Sequence, residues 1–183
     1  ALSVKNPKLI KKAVIYCDKG TDRSFRGKKG YYSWKGVGSE IRATEITSSI
    51  IFSQLLSLDK ILKKRKRIWS IYKNALDNLN QKLFFLPKYD LDNLAFSYHI
   101  FPIIFFNKNT RIRFENYMLK QGVECFFHYY PLHLSSYGKK FSKTRLNNTE
   151  LIYNGLTRLP LYPKLKILEI KKIISKIINF VKL

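Results

Sequence analysis

Cysteine is nearly missing from this chain of 183 residues: Cys17 and Cys125 stand far apart and match no metal or redox spacing. That excludes a disulfide framework, and two lone thiols point to a reducing compartment, read here as the cytoplasm. Histidine is almost as rare, at three residues. Cys125, His128 and His133 form a Cys-x2-His-x4-His string. A structural zinc site takes four ligands, however, and no second cluster supplies the fourth, so no metal is expected. Long hydrophobic runs are lacking too. The best candidate, Ile100 to Phe106, is short and holds Pro102, well below the roughly 20 apolar residues of a membrane-spanning helix. The N-terminus has no signal-peptide layout. Carboxylates are scarce, and no carboxylate pair or Ser-His-Asp set marks a hydrolytic centre.

What is abundant is positive charge and apolar surface. Lys and Arg number 35 against 12 Asp and Glu, for a net charge of +23. Such an excess invites a nucleic-acid reading, that of a basic binding protein. Its makeup argues the other way: Lys outnumbers Arg 26 to 9, and Ile, Asn, Phe and Tyr are enriched with it. These residues share AT-rich codons, whereas surfaces that read phosphates and bases favour the bidentate arginine fork. A hydrophobic fraction of 45% with 15% aromatics is enough for a folded core.

The pattern of elements is α/β. Ala1 to Val4 read as the end of a strand, and Asn6-Pro7 opens a short helix that ends near Cys17. A long loop follows to Glu40, rich in Gly, Ser and aromatics. From Ala43 to about Leu79 apolar residues recur at spacings of three, four and seven, too long for one globular helix without a kink or break. Lys63-Lys64-Arg65-Lys66-Arg67 falls inside this stretch. On a helix these five side chains point around more than a full turn, so they read as a solvated curved face. Leu83 to Leu86 and Phe96 to Phe106 read as strands, and Arg111 to Gln121 as a helix capped by Thr110 and closed by Gly122. Strands are expected at Val123 to Phe127 and near Thr157 to Leu161. An amphipathic helix from Ile167 to Leu183 carries Ile170, Ile173, Ile174, Ile177, Ile178 and Val181 on one face.

Three groups of residues carry a resemblance. The first is Asp18-Lys19-Gly20-Thr21-Asp22-Arg23-Ser24-Phe25-Arg26, with Tyr32-Ser33-Trp34 and Gly38-Ser39 after it. The second is Gln54-Leu55, Arg65, Trp69, Tyr72 and Leu76, and the third is Phe127-His128-Tyr129-Tyr130-Pro131-Leu132-His133. Together they resemble the sugar nucleotide aminotransferases, the DegT class of pyridoxal-phosphate enzymes, over most of the chain. The likeness is strongest to the transaminases that act on dTDP-4-keto-6-deoxyglucose and form the 4-amino-4,6-dideoxygalactose nucleotide. The resemblance implies the aspartate-aminotransferase-like (fold type I) architecture, of which this chain would hold the C-terminal portion. Residues 1–42 would be a remnant of the large cofactor domain with its active-site loop, 43–80 a long interdomain helix, and 81–183 the small α/β domain. It further implies glutamate as amino donor, a 4-keto-6-deoxy sugar nucleotide as acceptor in surface polysaccharide synthesis, and a homodimer.

The resemblance places the Schiff-base lysine and the ring-nitrogen aspartate ahead of the loop, outside this chain. A truncated, inactive pseudoenzyme is therefore expected, or one half of a split enzyme completed by a separate N-terminal chain. Ser39 is the cofactor-phosphate candidate, because a Gly-Ser turn leading into a helix N-terminus offers N–H groups and a favourable dipole. Arg23 and Arg26 suit a nucleotide diphosphate, Tyr32 and Trp34, beside Tyr31, suit sugar or base stacking, and His128, Tyr129 and His133 suit a substrate rim. Glu40 departs from the family's usual Asn or Ser. A carboxylate there is expected to repel the cofactor phosphate, so no pyridoxal phosphate is expected on this chain alone.

Overall fold

A computed structural model describes residues 2–26, 31–77, 79, 83–89, 96–141 and 144–183. They divide into two compact units, Ala1–Ser57 and Leu58–Leu183. The division falls inside the helical stretch from Ala43 to about Leu79, whose expected break lies at Ser57. The expected start of the small domain at residue 81 lies outside the described residues.

In the first unit, helix α1 (Pro7–Cys17) starts as expected. The Asn6 side chain accepts from the Lys8 N–H, and Pro7 sits where its missing donor costs nothing. The segment before it forms no strand: among the described residues, 2–6 make no strand pairing. Helix α2 (Glu45–Leu56) is capped by Thr44, whose hydroxyl accepts from the Thr47 N–H. Its apolar residues are not confined to one side, and Ile46, Ile50, Phe52, Leu55 and Leu56 are all exposed.

In the second unit, a three-stranded antiparallel sheet carries the core. The order is β1 (Phe84–Phe85), β2 (Phe101–Phe105), β3 (Leu156–Leu159), with Phe84 opposite Phe105 and Ile103 opposite Thr157. Phe101, Ile103 and Phe105 alternate onto one face. Helices α3 (Leu58–Leu76), α4 (Lys108–Lys120) and α6 (Ile167–Val181) contribute the side chains that meet them. Tyr72 lies 5.2 Å from Phe101 between ring centres, Phe114 is 4.9 Å from Phe105, and Phe180 is 5.2 Å from Phe114. Trp69 is ringed edge-on by Tyr89, Phe96, Tyr98 and Phe101. Each such buried aromatic or aliphatic side chain contributes about 1.5–3 kcal/mol by leaving water.

Two local expectations are corrected and one element is added. The cap of α4 is Asn107, not Thr110: the Asn107 carboxamide oxygen accepts from the Thr110 N–H at 2.8 Å. The strand expected at Val123 to Phe127 reduces to one bridge, Phe126 with Arg158. A further helix, α5 (Asn147–Gly155), runs directly into β3. Gly122 closes α4 at φ +74°, as its position past the helix end requires.

Candidate functional site

The loop after α1 is built by two buried carboxylates. Asp18, 1% exposed, accepts from Arg23 at 2.7 Å and from Arg42 at 2.8 Å through Oδ1, and from the Ser24 hydroxyl through Oδ2. Asp22 accepts the Ser33 N–H at 2.8 Å on one oxygen and Arg26 Nε at 2.9 Å on the other. The Ser24 hydroxyl, then the Arg23 guanidinium, hold the Asp18 carboxyl below the usual carboxylate range. The Ser33 amide does the same for Asp22, with Arg26 behind it.

Backbone pairing closes the loop as a narrow ribbon. Thr21 pairs with Trp34 and Asp18 with Glu40. Lys35 N–H donates to the Gly20 carbonyl at 2.7 Å, and Ser39 N–H to the Tyr16 carbonyl at 2.9 Å. Two glycines permit this approach. A Cβ on Gly20, at φ +76°, would stand 1.9 Å from the Gly36 carbonyl oxygen, and one on Gly38 would stand 2.2 Å from the Gly20 nitrogen.

This geometry redistributes the expected roles. Arg23 and Arg26 are not free cations: each is tied to an aspartate of its own loop. Ser39 does not lead into a helix, because the next helix begins at Glu45 under the Thr44 cap. Its N–H is already bonded, and among the described residues only its exposed hydroxyl is unengaged. Glu40 is compensated by Lys19 at 3.3 Å and Arg42 at 3.4 Å, and the Lys19 contact leads in keeping its carboxyl below the usual range. The repulsion expected of Glu40 is thereby weakened by two neighbouring cations. Tyr32 and Trp34 meet edge to face at 5.4 Å, and Trp34 is 68% exposed, so this pair is available to a ligand.

The second unit holds the other predicted residues. His128 and Tyr129 line an open cleft of about 410 Å³ with Pro131, Thr149 and Tyr153. Burial, then Arg158 and His99, push the His128 imidazole below its usual value, which leaves it neutral near pH 7. His133 is not part of that lining; its Nε2 faces Glu150 at 3.3 Å. Cys125 is pushed up to about 12 by burial and stays a thiol. Among the described residues no group of three His, Cys, Asp or Glu is placed to hold a metal ion, and no described helix is long and apolar enough to cross a membrane. Of the basic run on α3, Arg65 is half-buried and the other four are exposed.

Asp18 and Asp22 stand in the loop motif, but their sequence gives them no organising role of their own. The one signal is spacing: each is followed four or five residues later by an arginine, Arg23 after Asp18 and Arg26 after Asp22.

The chain belongs to the DegT/DnrJ/EryC1/StrS aminotransferase family, whose model matches residues 1–178. An uncharacterized protein of Methanocaldococcus jannaschii is 26% identical over 158 residues, 81% of this chain and 40% of that protein. Among solved structures, the aminotransferase TlmJ from Streptoalloteichus hindustanus superposes with a TM-score of 0.84 at 20% identity, over 97% of this chain and 46% of TlmJ. Helicobacter pylori PseC, an aminotransferase of pseudoaminic acid biosynthesis, gives 0.81 at 20% identity over 98% of this chain and 47% of its own. Spr1654 of Streptococcus pneumoniae, in its PLP form, gives 0.82 at 20% identity over 98% and 45%. The fold is therefore the α/β fold of these aminotransferases, and the chain spans less than half the length of each of these proteins.

Pyridoxal phosphate is the cofactor of the parent family. A phosphate requires free N–H donors or uncommitted cations. Here the Ser39 N–H, Arg23, Arg26 and Arg42 are all engaged by the loop itself.

Proposed function

We propose that the chain is the C-terminal part of a pyridoxal-phosphate-dependent sugar nucleotide aminotransferase. The parent reaction moves an amino group from glutamate to a 4-keto-6-deoxy sugar nucleotide for surface polysaccharide, in the cytoplasm and as a homodimer. Residues 1–42 then belong with the cofactor domain, 43–80 link the domains, and 81–183 form the small domain. The observation that carries this reading is the ribbon from Asp18 to Arg42, in which Arg23 and Arg42 pair with Asp18, Arg26 pairs with Asp22, and Trp34 is exposed. Its part in the reaction is to present an aromatic edge to a sugar or base; in the second unit, His128 and Tyr129 separately serve as substrate rim residues, with a neutral imidazole at His128.

By itself the chain is inactive and holds no cofactor. Purified chain mixed with pyridoxal phosphate and reduced with borohydride should show no stoichiometric adduct at any one lysine. A single stoichiometric adduct overturns the inactivity. A split enzyme is the second reading, favoured by the exposed apolar side chains Leu9 and Ile10 of α1 and Ile46, Phe52 and Leu56 of α2, more than a lone soluble unit ordinarily shows. Co-expression with an N-terminal aminotransferase half, followed by a transamination assay, separates the two readings.

A further inference from the structure

In the second unit, Arg158 sits in β3 with its backbone paired to Phe126. Its side chain is half-buried, and its guanidinium lies 5.7 Å from the Phe126 ring. Among the described residues no carboxylate or carbonyl accepts from that guanidinium, and its Nε is fully buried without a partner. Arginine is rarely left so. Its planar fork presents five donors, and a desolvated donor without an acceptor costs about 1–3 kcal/mol.

Arg158 lines a cleft of about 650 Å³ that lies between the end of α4, β3 and α6. The walls are largely apolar, with Val123, Phe126, Leu161, Tyr162 and Ile173 among them. Lys172 also lines it and has no partner among the described residues, whereas Lys176 is bonded to Gln121. Two carboxylates oppose these cations. Glu169 is engaged by the Lys166 N–H, and Glu124 has no partner among the described residues. Three cations against two carboxylates leave a small positive excess, which suits one anionic group and not a polyanion.

We infer that this cleft binds a compact ligand with one oxyanion, a carboxylate or a phosphate, on an apolar body. The Arg158 fork holds the oxyanion with Lys172 as second cation, while Phe126, Tyr162 and Ile173 take the apolar part. Arginine is the suitable residue because its two-pronged donor geometry matches both oxyanions. All of the lining comes from the second unit, and the inference stands whether or not the chain serves a sugar nucleotide.

The test is NMR titration of the full chain with benzoate, phenyl phosphate and inorganic phosphate, reading the Arg158 Nε–H and the Val123 and Ile173 signals. Saturating shifts at these three positions with benzoate or phenyl phosphate are expected. Response to benzoate alone assigns a carboxylate, and response to phenyl phosphate alone a phosphate. R158Q should weaken binding by about tenfold or more, the loss of a charge-assisted pair, and K66Q, on α3, should leave it unchanged. R158K, which keeps the charge but not the fork, should fall between, and it serves if R158Q does not fold. Shifts that do not saturate, that are equal in R158Q or R158K and the parent, or that follow inorganic phosphate over many lysines at once overturn the inference.

Discussion

Asp18 and Arg42 are 24 residues apart and meet at 2.8 Å, across the base of the ribbon that follows α1. Arg23 donates to the same carboxylate oxygen at 2.7 Å. One buried carboxylate thus holds two arginines that would otherwise repel each other. Removing it leaves two like charges side by side and frees the Ser24 hydroxyl.

D18N should therefore loosen residues 18–42 without unfolding the second unit. Limited trypsin digestion should cut after Arg23, Lys35 or Arg42 faster in D18N than in the parent chain. Cleavage at an unchanged rate would show that backbone pairing alone holds the ribbon.

Acid should act on the same contacts. Asp18 and Asp22 both titrate below the usual carboxylate range in the folded ribbon, through the Ser24 hydroxyl and the Ser33 amide respectively. Groups whose folded value is depressed add stability above their unfolded value, about pH 4, and that stability is lost as pH falls through the folded one. Amide exchange at Ser33, whose N–H donates to Asp22, should thus accelerate below about pH 4, relative to the intrinsic exchange rate, and be insensitive to pH above about 6.

The glycines form a graded series. G20A meets both a positive φ and a backbone clash, and G38A meets a clash alone. Each should destabilise the first unit by about 1–3 kcal/mol. Gly122 has a positive φ with open space around it, so G122A should cost the second unit only about 1 kcal/mol. Gly36 has neither constraint, so G36A should be neutral or slightly stabilising. Urea unfolding followed separately for each unit checks the order.

How much of this was legible depended on range. The Asn6-Pro7 start of α1, the Gly122 stop of α4 and the apolar face of α6 were readable, because caps and helical periodicity are local signals. The break at Ser57 fell where apolar residues continue on both sides, so periodicity could place a break but not its position. Val123 to Phe127 has strand composition, yet among the described residues only Phe126 finds a β-bridge partner, since pairing is set by β3 rather than by propensity. Within the candidate site, the residue types were readable and the pairings were not. Arg23 and Arg26 look like phosphate ligands until Asp18 and Asp22 are placed against them, and His133 looks like a rim residue until Glu150 is.

Tyr72 makes the last test, because it separates packing from hydrogen bonding within the core. Its ring is fully buried against Phe101, and its hydroxyl donates to the Pro160 carbonyl at 3.0 Å, tying α3 to the end of β3 across 88 residues. Burial raises the hydroxyl far above its usual value, so it stays protonated at any pH the fold survives. Y72F keeps the ring and removes only the donor, and should cost about 0.5–1.5 kcal/mol. Y72A also opens a cavity and should cost about 3–5 kcal/mol. Because pH 6 and pH 9 both lie below about 10, where the unfolded hydroxyl would ionise, the Y72F deficit should be nearly the same at the two values. Denaturant melts at both values measure it, and a Y72F chain as stable as the parent would mean that the bond to the Pro160 carbonyl contributes nothing.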